Sequence, residues 1–540
     1  MKIKCQSYNP SLSRFLCGTA KLASALMVSL LTLTAHATVI TSGTVFPSLT
    51  INPTTTNQIA VGFSGVPGSL EVNASATGNG FTIVTGNFSG SVGAVAGLNT
   101  GDVGTITVTG NGSSGSAKLT TLGGITAGEG GTGTINVTNG GIVEATRQSA
   151  FSGSAIQAGN SGGTGAITVD GAGSILSGTD RIQIGAFSGS SGSMTISNGG
   201  WVKQTPDPTI NANAGTVLVE IGDGDNATGS VLVTGTNSRL TTNGLILGNS
   251  AVGSATPNSG TLTIQAGGTV TVNAPVTTNA LFDGAVFIGS APGSQITVTG
   301  SGSTLQIGAT PATDFFHGKE VIVGGFGKGT LLVDQSAIVD ATGANILVGG
   351  GFSGTNLDPG TLSVKNGASV IANNVNVNQN GLLNGNGTIT GNVTLNGGTI
   401  APGNSPGTMT VNGDLTLDSG FLELEIASGS ADHFNVSGDV FLGGDLIIKL
   451  IFEDPPPFGD LINIEGFFSD FSSFGIDPGF DLASNLQVTG LSGADFITVA
   501  LGDSQVSFGQ PTSGVPEPAS LALLGIGLAG LWTMRRSKMA

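Results

Sequence analysis

The chain has 540 residues, 92 of them glycine, and carries 16 Lys plus Arg against 33 Asp plus Glu, a net charge of −17 at neutral pH. That balance disfavours nucleic acid and anionic membrane surfaces as partners. Both cysteines, Cys5 and Cys17, lie in the first 37 residues, so a body without that segment has no disulfide, thiol nucleophile or cysteine metal site.

Residues 1–37 read as a secretory signal peptide. Lys2, Lys4, Arg14 and Lys21 are basic and nothing acidic accompanies them; an apolar stretch at 22–33 follows, and Ala35-His36-Ala37 supplies the small-x-small cleavage pattern. The apolar run is shorter than the roughly 20 residues a bilayer requires. Cys17 precedes that run, which argues against a lipoprotein anchor. Residues 38–58 are expected to form an N-terminal cap, because an open first coil would be an unpaired edge.

Residues 59–450 are a repeat. GTITV (104–108), GTINV (133–137), GAITV (165–169), GSMTI (192–196), GSVLV (229–233) and GTLTI (260–264) are copies of one phrase, with further copies from GSLEV (68–72) to GTMTV (407–411). A second phrase, such as RIQIG (181–185), VLVEIG (217–222) or LILG (245–248), comes before the next copy. Each unit therefore holds about three short alternating strands separated by Gly, Asn, Asp and Ser turns. One such unit cannot bury its apolar face alone, whereas stacked units can. The pattern predicts an all-β fold, a right-handed parallel β-helix (solenoid), with Val, Ile and Leu in thin core columns and Thr on the outward positions. Disorder is disfavoured by low charge and regular apolar spacing. Immunoglobulin-like sandwiches are disfavoured by the short strands and the lack of bulky aromatics.

Composition changes at 451–510. Pro455, Pro456 and Pro457 are followed by Phe458, Phe467, Phe468, Phe471, Phe474 and Phe480, a concentration of rings expected to seal the end of the core; an aromatic sugar site is the alternative. Residues 511–514 read as a linker. At 515–538, Val515-Pro516-Glu517-Pro518 precedes an apolar run at 519–534 and the basic cluster Arg535, Arg536 and Lys538. The run predicts an apolar helix acting as sorting and anchoring signal, with its positive end on the cytoplasmic side. Removing the four basic residues of the leader and these three leaves nine basic residues against 33 acidic ones.

Little in the body points to chemistry. His317 and His433 lie far apart, no nucleophile elbow, phosphate loop or zinc motif occurs, and no catalytic residue is assigned. The acidic turn around Asp223 and Asp225 could offer oxygen ligands to Ca²⁺, although it lacks the loop length and closing Glu of an EF-hand; no other cofactor is expected. The nine basic residues, Lys203 and Arg239 among them, read as scattered without a local cluster. These features favour a non-enzymatic protein, with a polysaccharide lyase or hydrolase as the competing class.

Two resemblances sharpen this picture. The Pro-Glu-Pro motif, apolar segment and basic cluster at 515–538 resemble the PEP-CTERM sorting signal of Gram-negative bacteria. That resemblance implies export, transient inner-membrane anchoring, recognition by an exosortase-type membrane protease, and delivery to the cell surface or extracellular matrix, with exopolysaccharide as a possible partner. Residues 381–426, especially APGNSPGTMTVNGDLTL at 401–417, are similar to autotransporter passenger β-helices, which implies a right-handed β-helix at the cell exterior. The stretch after Leu450 offers no set of barrel strands, so the Pro-Glu-Pro segment is expected to replace self-translocation.

Overall fold

The computed structural model describes residues 38–508, with breaks at 44, 47–53, 56–58, 74–80, 86–92, 113–116, 147–153, 186, 206–217, 223, 249–257, 274–284, 290–292, 309–319, 326, 351–357, 404–405, 455–459, 492–496 and 502–503. The signal peptide with Ala35 and Ala37, the apolar segment at 519–534 and the whole 515–538 signal lie outside the described residues. Within them, no helix is long and apolar enough to cross a membrane. The fold is nearly all β and its long ladders are parallel, as the repeat predicts. Two compact units divide between Ala344 and Asn345.

The first unit is a three-column solenoid. Its first column of mostly three-residue strands runs from Ile59–Val61 through Ile125–Ala127 and Ile182–Ile184 to Glu320–Val323. The second column holds the repeated Gly-Thr phrase, from Gly68–Asn73 through Thr132–Thr138 and Thr164–Asp170 to Gly329–Asp334. The third runs from Phe81–Thr85 through Ile142–Ala145 and Trp201–Gln204 to Thr304–Ile307. Each strand pairs in parallel with the same strand of the next coil, without a register slip between Thr132–Thr138 and its neighbours on either side.

Period-two alternation directs every second residue of the second column inward. Ile106, Ile135, Ile167 and Met194 are therefore in register on successive coils, and all four are at most 2% exposed. Burying each such side chain is worth about 1.5–3 kcal/mol, so the core is a column repeated coil by coil.

Two devices make the corners. Gly128 ends a first-column strand at φ +68°, and Gly165 follows on the neighbouring coil; a Cβ on Gly165 would sit 2.2 Å from the Ala127 carbonyl oxygen and the Gly159 nitrogen. That close backbone approach admits no side chain. After four of the second-column strands the chain turns through a left-handed residue, Asn139, Asn198, Asn237 or Ala266, a conformation that Asn tolerates better than most residues. Buried Ser174 and Ser238 accept a hydrogen bond from the Gly140 and Gly199 N–H at 3.0 Å, tying each turn to the next coil. At the start of the unit, Thr38–Gly43 lies antiparallel on Gly68–Asn73.

The second unit uses longer strands. Ser369–Asn378, Thr388–Pro402, Leu415–Ala427 and Asp439–Phe452 pair in parallel, and irregularities inside the strands replace many turns. Phe434 stacks on Phe468 with ring centroids 5.5 Å apart, and Phe468 meets Phe474 at 5.7 Å. Phe434, Phe452, Phe467 and Phe468 are buried, whereas Phe471 and Phe474 remain partly open. A small separate sheet joins Leu461–Asn463 to Ile497–Leu501 and Ser504–Phe508.

Candidate functional site

The outer face of the third column gathers residues that sequence separation hides. Trp201–Gln204 begins directly after the turn at Asn198-Gly199-Gly200, and its alternation sends Val202 and Gln204 inward and Trp201 and Lys203 outward. Parallel register sets Trp201 between Ile175 and Arg239, and Lys203 between Ser177 and Thr241. The Arg239 guanidinium carbon lies 4.5 Å from the Trp201 ring centroid and Lys203 Nζ lies 4.8 Å from it. The indole Nε1–H donates to Thr241 Oγ1 at 3.1 Å, which fixes the ring.

The expectation of scattered basic residues is corrected here. Lys203 and Arg239 are 36 positions apart in the chain but on adjacent strands, and Lys118 joins the same column through its pairing with Ile142. Lys118 Nζ is bound to Glu144 Oε2 at 2.8 Å. Among the described residues, Lys203 and Arg239 have no carboxylate partner and hold cation–π contacts only. Beside them is a shallow groove of about 260 Å³ lined by Glu144, Thr146, Ser177, Thr179, Lys203 and Thr205. Aligning the repeats after each turn would have placed Trp201 and Arg239 at one position; reading the chain linearly did not.

The first column carries a different polar array, buried and internally satisfied. Thr126 Oγ1 donates to Gln157 Oε1 at 3.0 Å, Gln157 Nε2 donates to Gln183 Oε1 at 3.3 Å, and Gln183 Nε2 donates to Glu220 Oε2 at 2.5 Å. Arg181 pairs with Glu220 at 3.4 Å. This chain of bonds links successive coils, each amide being engaged by its neighbour.

The remaining expected sites can be placed in part. His433 Nε2 lies 2.9 Å from Ser469 Oγ, and that hydroxyl donates to Asn435 Oδ1 at 2.7 Å. Asp432, the nearest carboxylate in sequence, instead accepts the N–H of Gly407 at 2.9 Å and of Glu425 at 2.8 Å. Asp432 is thus bound to backbone N–H groups, whereas the carboxylate of a nucleophilic triad binds the imidazole. Burial, opposed by those two hydrogen bonds and aided by the charges of Glu425 and Glu453, pushes the Asp432 carboxyl up to about 6. Asp225 sits exposed in its turn, its carbonyl accepting from the Gly189 N–H, while Asp223 and His317 fall outside the described residues. Among the described residues no three His, Cys, Asp or Glu side chains converge on a common point.

Comparison with known proteins decides the routing. The PEP-CTERM protein-sorting motif matches residues 514–537. The protein is exported. The match contains Val515, Pro516, Glu517 and Pro518 together with Arg535 and Arg536, and Lys538 lies one residue beyond it. The motif implies recognition by an exosortase-type membrane enzyme and transient membrane anchoring before processing. No curated protein matches the chain.

Proposed function

We propose that the processed body is a structural or adhesive component of the bacterial cell surface or extracellular matrix that associates with exopolysaccharide and performs no catalysis. The observation that carries this reading is the sorting motif at 514–537 on a repetitive β-helical body. A solenoid presents a long, chemically uniform flank of Thr, Ser and Asn, suited to many weak contacts with a polymer.

The test incubates the exported, processed protein with the exopolysaccharide of its own host and follows both retention on the polymer and polymer length. Retention without shortening is expected. Shortening would move the protein to the polysaccharide-active class, and absence of both effects would remove the matrix reading.

A further inference from the structure

An acidic body has ample carboxylate to neutralise its few cations, and it does so for Lys118, Arg181 and Lys449, which meet Glu144, Glu220 and Glu423. Lys203 and Arg239 have no carboxylate partner among the described residues, as Lys328 and Lys365 have none, but of these four only Lys203 and Arg239 lie against an aromatic ring. Both are held against the Trp201 indole at 4.5–4.8 Å, an arrangement that positions a cation without cancelling its charge. Trp201 is itself anchored through Nε1 to Thr241.

The surroundings define what such charges could meet. Ser177 and Thr241 flank Lys203 in its row, and Thr146, Thr179 and Thr205 line the adjoining groove together with Glu144, whose carboxylate is held by Lys118 at 2.8 Å. The hydroxyls of Thr146, Ser177 and Thr205 donate to backbone carbonyls, and their oxygens retain lone pairs that can accept from a ligand rich in hydroxyls. Ile142 and Ile175 continue the row of Trp201 toward the preceding coils and offer an apolar strip to the C–H face of a sugar ring. Coils recur about every 4.8 Å along the column, a step of the same order as one pyranose in an extended chain. Double-stranded nucleic acid, with one charge per about 1.7 Å, meets more repulsion from the acidic body than a polymer with one carboxylate per sugar.

We propose that the Trp201–Lys203–Arg239 face binds an acidic polysaccharide, a chain bearing uronate carboxylates, laid along the third column so that successive sugars meet successive coils. This rests on the matrix reading above and names the chemistry of its ligand. Lys203 and Arg239 take the carboxylates, the Ser and Thr hydroxyls take the ring hydroxyls, and Trp201 holds both cations in place.

The chain has two tryptophans, Trp201 and Trp532, so in a Trp532→Phe background the emission reports Trp201 alone. The probe is polygalacturonate, with neutral dextran as comparison. A saturable change in emission with polygalacturonate and none with dextran is expected. The double variant Lys203→Gln/Arg239→Gln should weaken binding roughly tenfold, and the charge-matched pair Lys328→Gln/Lys365→Gln by less than about twofold. Equal losses in the two pairs, unchanged affinity in the first pair, no response to polygalacturonate, or equal binding of dextran would each overturn the site. Retention on the host exopolysaccharide is measured in parallel. Wild-type retention without a polygalacturonate response sinks the site and leaves the matrix reading standing; the reverse result keeps the site and sinks the matrix reading.

Discussion

The two units reach parallel stacking by different local means. In the first, strands of three to seven residues are cut by backbone corners that only glycine fits, as at Gly165, and by left-handed turns at Asn139 or Asn198. In the second, strands such as Thr388–Pro402 and Asp439–Phe452 carry pairing through irregularities within the strand, and Phe434, Phe452, Phe467 and Phe468 join Val, Ile and Leu in the interior. The first unit depends on the absence of side chains at its corners, and the second on the bulk and protonation of the groups inside it. Single substitutions should therefore fail for opposite reasons in the two.

The largest effect is expected at the glycine corner. Gly165→Val drives a side chain into the Ala127 carbonyl and the Gly159 nitrogen and should cost about 3 kcal/mol, read as a lowered urea midpoint of Trp201 emission. A loss below about 1 kcal/mol would show that the corner can shift and would erase the contrast. Next comes Asp432 in the second unit, buried and 1% exposed. Its carboxyl titrates near 6 when folded, above its ordinary 3.8, so its stabilising contribution is complete below about pH 4 and is lost as pH rises through 6. Asp432→Asn should flatten that decline by about 2 kcal/mol, measured by hydrogen exchange of 408–436 at pH 4.5 and 7; an unchanged slope would sink the assignment. The smallest effect is expected at Ala266, which occupies the left-handed turn position at φ 52°. Ala266→Asn should stabilise the first unit by about 0.5–1 kcal/mol, and any loss of stability would show that the turn residues are chosen for another reason.

The repeat was largely legible because its signals are local. GTINV and GAITV announced the strands Thr132–Thr138 and Thr164–Asp170, and the Asn-Gly pairs announced left-handed turns at Asn139 and Asn198. What escaped depends on how many residues each coil consumes. Arg239 meets Trp201 only because the intervening segment returns the chain to the same column one coil later, a length that alternation does not encode. The contact between His433 and Ser469 likewise spans 36 positions. The Phe-rich segment showed that rings would be concentrated there, but not that Phe434 would take the stacked place beneath Phe468 while Phe471 stayed partly open.

Within the three columns of the first unit, the parallel ladders join a strand to its counterparts on the coils immediately before and after, as Ile135 pairs with Ile106 on one side and Ile167 on the other. Among the described residues of the first unit, no strand waits for a partner from the distant end of the chain. A polypeptide with this wiring can fold vectorially, each coil templating the next as it leaves an export channel, with Thr38–Gly43 closing on Gly68–Asn73 near the outset. The sorting motif at 514–537 follows the described strands in the chain. Release from the membrane would then deliver a solenoid that is already assembled, so little unfolded chain would be exposed to proteases or to aggregation at the moment of cleavage.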